Sequence, residues 1–175
     1  MATDGKPVEL RRFFDRAIRA TFADLALPND PAAPYLADLL TRFARTENLF
    51  PRGAAVPRLE TVVDMLLEVQ AAWTEDAPTW QPEHEVSVRR HIGDYTLFMT
   101  GVFPERVERM SSTGWYISQG KRAYHFVSEH DRAAARQGAP VFRRLAERFE
   151  HYAGALDYAR RVYFTDHPAF RLGFG

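Results

Sequence analysis

Apolar residues recur at three- and four-residue steps through most of the chain, the spacing that gathers side chains on one face of a helix. Leu10, Phe14, Ala17, Ile18, Thr21 and Leu25 mark a first block from about Pro7 to Ala26. Leu36, Leu39, Leu40 and Phe43 form a second stripe. Leu59, Val62, Val63, Leu66, Val69 and Trp73 form a third, the most apolar, which points to a central helix over about Arg58 to Asp76. A fourth block, from about Pro82 to Thr100, carries His84, Val88, His91, Tyr95, Phe98 and Val102 on one line. A fifth runs from Ser112 or Thr113 to about Gln137, with Tyr116, Gly120, Ala123, Tyr124, Val127 and Asp131 inward. The sixth, opened by Pro140, aligns Phe142, Leu145, Phe149, Tyr152, Ala153, Leu156 and Tyr163.

The breaks between blocks carry helix punctuation. Proline suits a first turn, where its missing N–H has no intrahelical partner, and it stands there at Pro31, Pro82, Pro104 and Pro140. Asp30 is placed to cap the second helix. Gly101 and Gly138 are read as residues that end helices four and five, Gly101 in the left-handed conformation. "PERVERM" makes a short helix near 104–110. No block alternates with period two, and no hairpin signal joins two strand-like runs. These features predict an all-α, single-domain antiparallel bundle of about six long helices plus the short one, over residues 1–164. Residues 165–175 form an irregular tail whose Phe170 and Phe174 dock on the body or on a neighbour.

Composition narrows the function classes. The 175 residues are 46% hydrophobic and 13% aromatic, enough for a substantial core. Lys+Arg and Asp+Glu are both 23, so no uniform basic field exists for nucleic acid, and no nucleic-acid partner is expected. Arginine pairs at 89–90, 143–144 and 160–161 leave room for local basic patches. Without cysteine there is no disulfide, thiolate metal site or thiol nucleophile. No run of about 18 apolar residues occurs, so no membrane span is expected and the expected location is cytoplasmic. Phosphate-loop, dinucleotide-binding, nucleophile-elbow and zinc-protease motifs are absent.

Candidate chemistry lies where polar groups interrupt the apolar stripes. His91 shares the inward face of the fourth helix, and Asp94 three positions on is within reach of it. In the fifth helix Gly120, which costs about 1 kcal/mol of helix propensity relative to alanine, permits close approach of a neighbouring helix or of a ligand. Tyr116 and Tyr124 flank it with large apolar area and a polar tip. Asp131 continues the same line and needs a partner, because an unpaired buried carboxylate is costly; Arg160 is one. These residues, with Tyr95, place the candidate ligand site between the fourth and fifth helices: His91, Asp94, Tyr95, Tyr116, Gly120, Tyr124 and Asp131.

Three functions fit. The first is a non-catalytic helical module that binds a protein partner, a small molecule or a second copy of itself. The second is a metal-dependent enzyme. His91, His130-Asp131 and Asp157 supply, in order, the residue types of the HD-type phosphohydrolases; the resemblance is confined to these residues, and "RAAA" follows in place of the usual continuation. A carboxylate-bridged di-iron centre would need Glu-x-x-His on inward faces; Glu47 and Asp131 face inward but do not complete that set. The spaced pairs His125/Glu129 and Glu147/His151 fall on the faces opposite their stripes. The third is a pocket for an aromatic or haem-like ligand lined by His91, Tyr95, Tyr116 and Tyr124. The sequence fixes neither a cofactor nor a reaction, and the binding module is the preferred reading.

Overall fold

The computed structural model describes residues 5–44, 62–67 and 82–165. Eight α-helices and no strand occur among them: α1 (Gly5–Asp24), α2 (Ala33–Phe43), α3 (seen at 62–67), α4 (Pro82–Val102), α5 (Pro104–Met110), α6 (Thr113–Ala133), α7 (Ala139–Glu147) and α8 (Phe149–Ala159). A π-helical turn, Arg160–Phe164, follows α8. Most of the third sequence block, with Leu59 and Trp73, lies outside the described residues, as do Glu47 and the tail phenylalanines.

The central helix is α4. Every residue from Ile92 to Val102 is buried, because α4 is packed by α6, α8, α5 and α2. Its sequence lacks a clean apolar stripe for that reason: a helix enclosed on all sides has no solvent face on which to segregate polar residues. Thr96 bonds back to its own helix, its Oγ1 donating to Ile92 O at 2.7 Å. The α4–α6 pair runs antiparallel, as paired positions 93 with 124 and 96 with 120 require. Phe22 meets Tyr152, and Phe14 meets Phe164, which sets α1 antiparallel to the α8 end of the chain.

Glycines allow the closest of these contacts. A Cβ on Gly93 would stand 2.7 Å from the Tyr124 ring, one on Gly101 2.6 Å from Leu156 Cβ, and one on Gly120 2.5 Å from Thr96 Oγ1 and against the Phe149 ring. Gly101 is therefore a helical packing residue and not a left-handed terminator; no described glycine has positive φ. Nor does Gly138 end the fifth helix, which stops at Ala133. The left-handed positions that close helices belong to alanines, Ala26 (φ 58) after α1 and Ala135 (φ 53) after α6, and a third left-handed residue, Asn29 (φ 64), lies between α1 and α2. Both close by the same paired bonds, Leu27 N–H to Phe22 O and Ala26 N–H to Ala23 O, then Arg136 N–H to Asp131 O and Ala135 N–H to Arg132 O. Because α1 stops at Asp24, Leu25 falls outside the core and is exposed.

Two caps match their sequence signals. Asp30 Oδ1 accepts from Ala32 N–H at 2.8 Å ahead of α2, and Ser112 Oγ accepts from Trp115 N–H at 3.2 Å. The sixth block, expected as one helix, is two: Arg148 leaves helical geometry (φ −118, ψ 30), so α8 starts on a new axis with Phe149 pointing to Gly120 and Tyr124.

An L-residue in the left-handed region costs about 1–2 kcal/mol, partly offset by the entropy glycine loses on folding. Ala135→Gly and Ala26→Gly should each raise stability in urea unfolding by about 0.5–1 kcal/mol. Gly120→Ala should lower it by about 1–3 kcal/mol through overpacking. Unchanged midpoints for all three variants would contradict this account of the helix ends and seam.

Candidate functional site

Asp94 is 1% exposed in the middle of α4, and two other helices send three donors to its carboxylate. Tyr35 Oη of α2 donates to Oδ1 at 2.6 Å, and Tyr124 Oη of α6 donates to the same oxygen at 2.7 Å. Arg42 of α2 donates from Nη2 to Oδ2 at 3.1 Å. Tyr124 reaches Asp94 because Gly93 leaves the space its ring occupies. Hydrogen bonds to a charged group contribute about 1.5–3 kcal/mol each, and here they offset the cost of burying the carboxylate.

Outside this core an arginine shell continues. Arg42 Nε donates to Asp38 Oδ2 at 2.8 Å, and Arg11 Nη1 to Asp38 Oδ1 at 3.1 Å. Arg90 Nε donates to Tyr35 Oη at 3.2 Å and stands 4.0 Å from Asp94 Oδ2. Its guanidinium carbon lies 5.6 Å from the Tyr35 ring centre and 5.6 Å from that of Phe142, and these two rings meet edge to face at 5.3 Å. Burial lowers the Arg42 pKa, but the Asp94 charge, with Tyr35 and Asp38, outweighs it and raises the value overall.

A solvent-open cleft of about 600 Å³ lies beside this shell. Arg11 from α1, Tyr35 and Asp38 from α2 and Arg90 from α4 line it. Asp131, Arg136 and Gly138 come from the α6–α7 turn, and Val141 and Phe142 from α7. Asp131 is 6% exposed and has Arg136 Nη1 and His130 Nδ1 each 3.5 Å from Oδ1. Arg136 also binds Glu83 Oε1 at 2.8 Å.

The predicted residues thus divide. Asp94 and Tyr124 are in direct contact, and Asp131 lines the cleft next door. His91 does not bond to Asp94, whose oxygens are taken by Tyr35, Tyr124 and Arg42; its half-buried ring instead packs edge-on against Phe43 at 5.8 Å and beside Tyr95. Tyr95 and Tyr116 lie ring to ring at 6.5 Å, further along the α4–α6 seam. That seam is packed with protein at Gly93 and Gly120. Asp131 and Arg160 do not pair: Arg160 binds Asp157 at 2.6 Å within its own helix. His125, Glu129, Glu147 and His151 are all exposed, as their positions opposite the stripes imply. Among the described residues, no three His, Asp or Glu side chains gather closely enough to hold a metal ion, so His91, His130, Asp131 and Asp157 do not form one centre.

Sequence reading missed Tyr35, Arg42, Arg90 and Arg11. The available signal was the face of α2 beside its apolar stripe, where Tyr35, Asp38 and Arg42 follow at steps of three and four. Neither a protein-family model, nor a curated protein, nor a solved structure matches this chain.

Carboxylates held by phenols recur. Tyr152 Oη donates to Asp30 at 3.0 Å alongside Arg144 at 3.3 Å, and Tyr158 and Tyr163 both donate to Asp24. Burial tends to raise the Asp30 pKa, but the Ala32 N–H, Arg144 and Tyr152 more than reverse it, and the value is lowered. All seven tyrosines are shifted upward. Burial and then Asp94 push Tyr35 and Tyr124 well above the ordinary 10.0. Burial does the same to Tyr95 and Tyr152, each to about 12, and to Tyr116. The bond to Asp24 raises Tyr158 and takes Tyr163 to about 12.

A raised folded pKa means that the native state keeps its proton longer than the unfolded chain. Stability from the phenols is then complete below pH about 10 and is lost as pH rises toward 12 and beyond. Ultraviolet titration should show clearly less tyrosinate in the native protein at pH 10 than in the urea-unfolded chain, which is about half ionised there. A native curve with its midpoint at 10 would refute the phenol network. Asp94→Ala should cost about 3–5 kcal/mol, because it leaves the buried Tyr124 hydroxyl without its acceptor and takes from Arg42 and Tyr35 the carboxylate that joins them to α4, and Tyr124→Phe about 1–3 kcal/mol. Urea unfolding measures both, and an exposed-site cost below about 0.5 kcal/mol would contradict the role assigned to Asp94.

Proposed function

We propose that the chain is a non-catalytic helical binding module whose working surface is the cleft between α2 and the α6–α7 turn. The observation that carries this reading is the division of polar groups on either side of Tyr35. Inward, Asp94 accepts from Tyr35, Tyr124 and Arg42. That arrangement joins three helices around a carboxylate that is 1% exposed, and a general base would have to reach a substrate from there. Outward, the cleft of about 600 Å³ falls within the size range of small-molecule sites, and it joins aromatic and aliphatic walls to a few fixed polar groups. Three of the helices that wall it, α2, α4 and α6, are held together by the Asp94 bonds, which supports a preformed site.

Amide NMR spectra of the full chain, recorded against a chemically varied fragment set, test this. Shifts caused by binding fragments should cluster at Tyr35, Arg90, Gly138, Val141 and Phe142, and no fragment should be turned over. Shifts that cluster elsewhere, or conversion of a fragment, would overturn the proposal.

A further inference from the structure

Among the described residues of the cleft, one cation has a head group that is oriented and only partly used. Arg11 is matched with Asp38, and Arg136 with Glu83 and Asp131. Arg90 differs. Only its Nε is engaged, with the Tyr35 hydroxyl at 3.2 Å. The carboxylate it approaches, Asp94, is 4.0 Å away and already bonded by Arg42 at 3.1 Å. The two terminal nitrogens of Arg90 make no hydrogen bond to any described residue. Yet the side chain is held at three points, by that Nε bond and by the Tyr35 and Phe142 rings at 5.6 Å each. Arginine usually loses rotamer freedom when it forms a fork with a ligand. Here the protein has already restricted it, and the cost of capturing an anion falls accordingly.

The surroundings define what such an anion is attached to. Phe142, Val141 and Pro34 line the cleft together with Arg90, whose guanidinium carbon is 5.6 Å from the Phe142 ring centre. A planar guanidinium presents two parallel N–H groups to a carboxylate or phosphate, while these side chains offer an apolar surface to whatever carries it. Arg11 and Arg136 stand at the cleft with part of their charge already spent on carboxylates, and Asp38 and Asp131 disfavour a second negative group away from Arg90.

We infer that the cleft binds a small organic anion, a carboxylate or phosphate monoester on a flat or aliphatic body, with the anionic group on the Arg90 guanidinium and the body against Phe142, Val141 and Pro34. The inference rests on the cleft being the binding surface and adds the chemical class of the ligand.

Isothermal titration of the full chain with benzoate, phenyl phosphate, inorganic phosphate, benzyl alcohol and benzylamine tests it. Benzoate or phenyl phosphate should bind saturably, and whichever is tighter identifies the acid group. Benzyl alcohol and benzylamine should bind at least tenfold more weakly. R90Q should weaken the preferred anion at least tenfold, and R90K should fall between, since lysine keeps the charge and loses the fork. Arg90 is substantially exposed, so R90Q should keep the wild-type circular dichroism spectrum and melting point. V141W, which fills the apolar side while Arg90 remains, should also abolish binding. Equal binding of benzyl alcohol and benzoate, unchanged affinity in R90Q, or no binding by either organic anion would overturn the inference. Inorganic phosphate binding as tightly as phenyl phosphate would also overturn it, by removing the organic body. If neutral fragments still map to the cleft by NMR while the anions fail, the binding-module reading stands and only the ligand class is wrong.

Discussion

A single carboxylate in the middle of the central helix must be satisfied without water, and much of the architecture follows from how that is done. Asp94 cannot be hydrogen-bonded by its own helix, whose N–H groups are committed to the α-helical ladder. Its donors therefore come from other elements. Tyr35 and Arg42 reach it from α2 and Tyr124 from α6. These bonds join segments separated by 59, 52 and 30 residues, so they form only when the long-range topology is already in place. Hydrophobic burial favours any compact arrangement of these helices; the carboxylate favours the one in which α2 and α6 lie on the correct sides of α4.

Phenols are suited to this task. A tyrosine hydroxyl donates to the carboxylate while adding no charge, and its ring fills core volume that a lysine or arginine stem would fill less densely. One arginine then balances the charge. The same solution appears at Asp30 and, nearer the surface, at Asp24, where it ties the end of α1 to the end of the chain's last described helix. Sharing one device, these three points distribute polar cross-links over the bundle, and the cleft opens where the largest of them approaches the surface.

The fold was legible because helical periodicity is a local property. Stripes, proline starts and the Asp30 and Ser112 caps each depend on residues within about two turns. What could not be read was the choice among helices for the centre. The enclosed α4, with Gly93, Asp94, Thr96, Thr100 and Gly101, carries no clean apolar signature that would mark it as such. Its polar residues look unfavourable until their partners are known, and those partners lie on other helices. For the same reason Asp94 and Tyr124 could be singled out individually while Tyr35, Arg42 and Arg90 were missed. Left-handed alanines at 26 and 135 escaped because the local rule favours glycine, and here paired backbone bonds impose the geometry on another residue.

The glycines on α4 and α6 have a bearing on assembly. Gly93 receives the ring of Tyr124 from α6, and Gly120 of α6 receives Thr96 from α4, so each helix carries both a notch and a tooth. Sliding one helix past the other by a single turn would drive both teeth into side-chain-bearing backbone. The pair therefore behaves as a keyed joint with one permitted setting, and a misaligned register is disfavoured by shape alone, independently of the polar bonds.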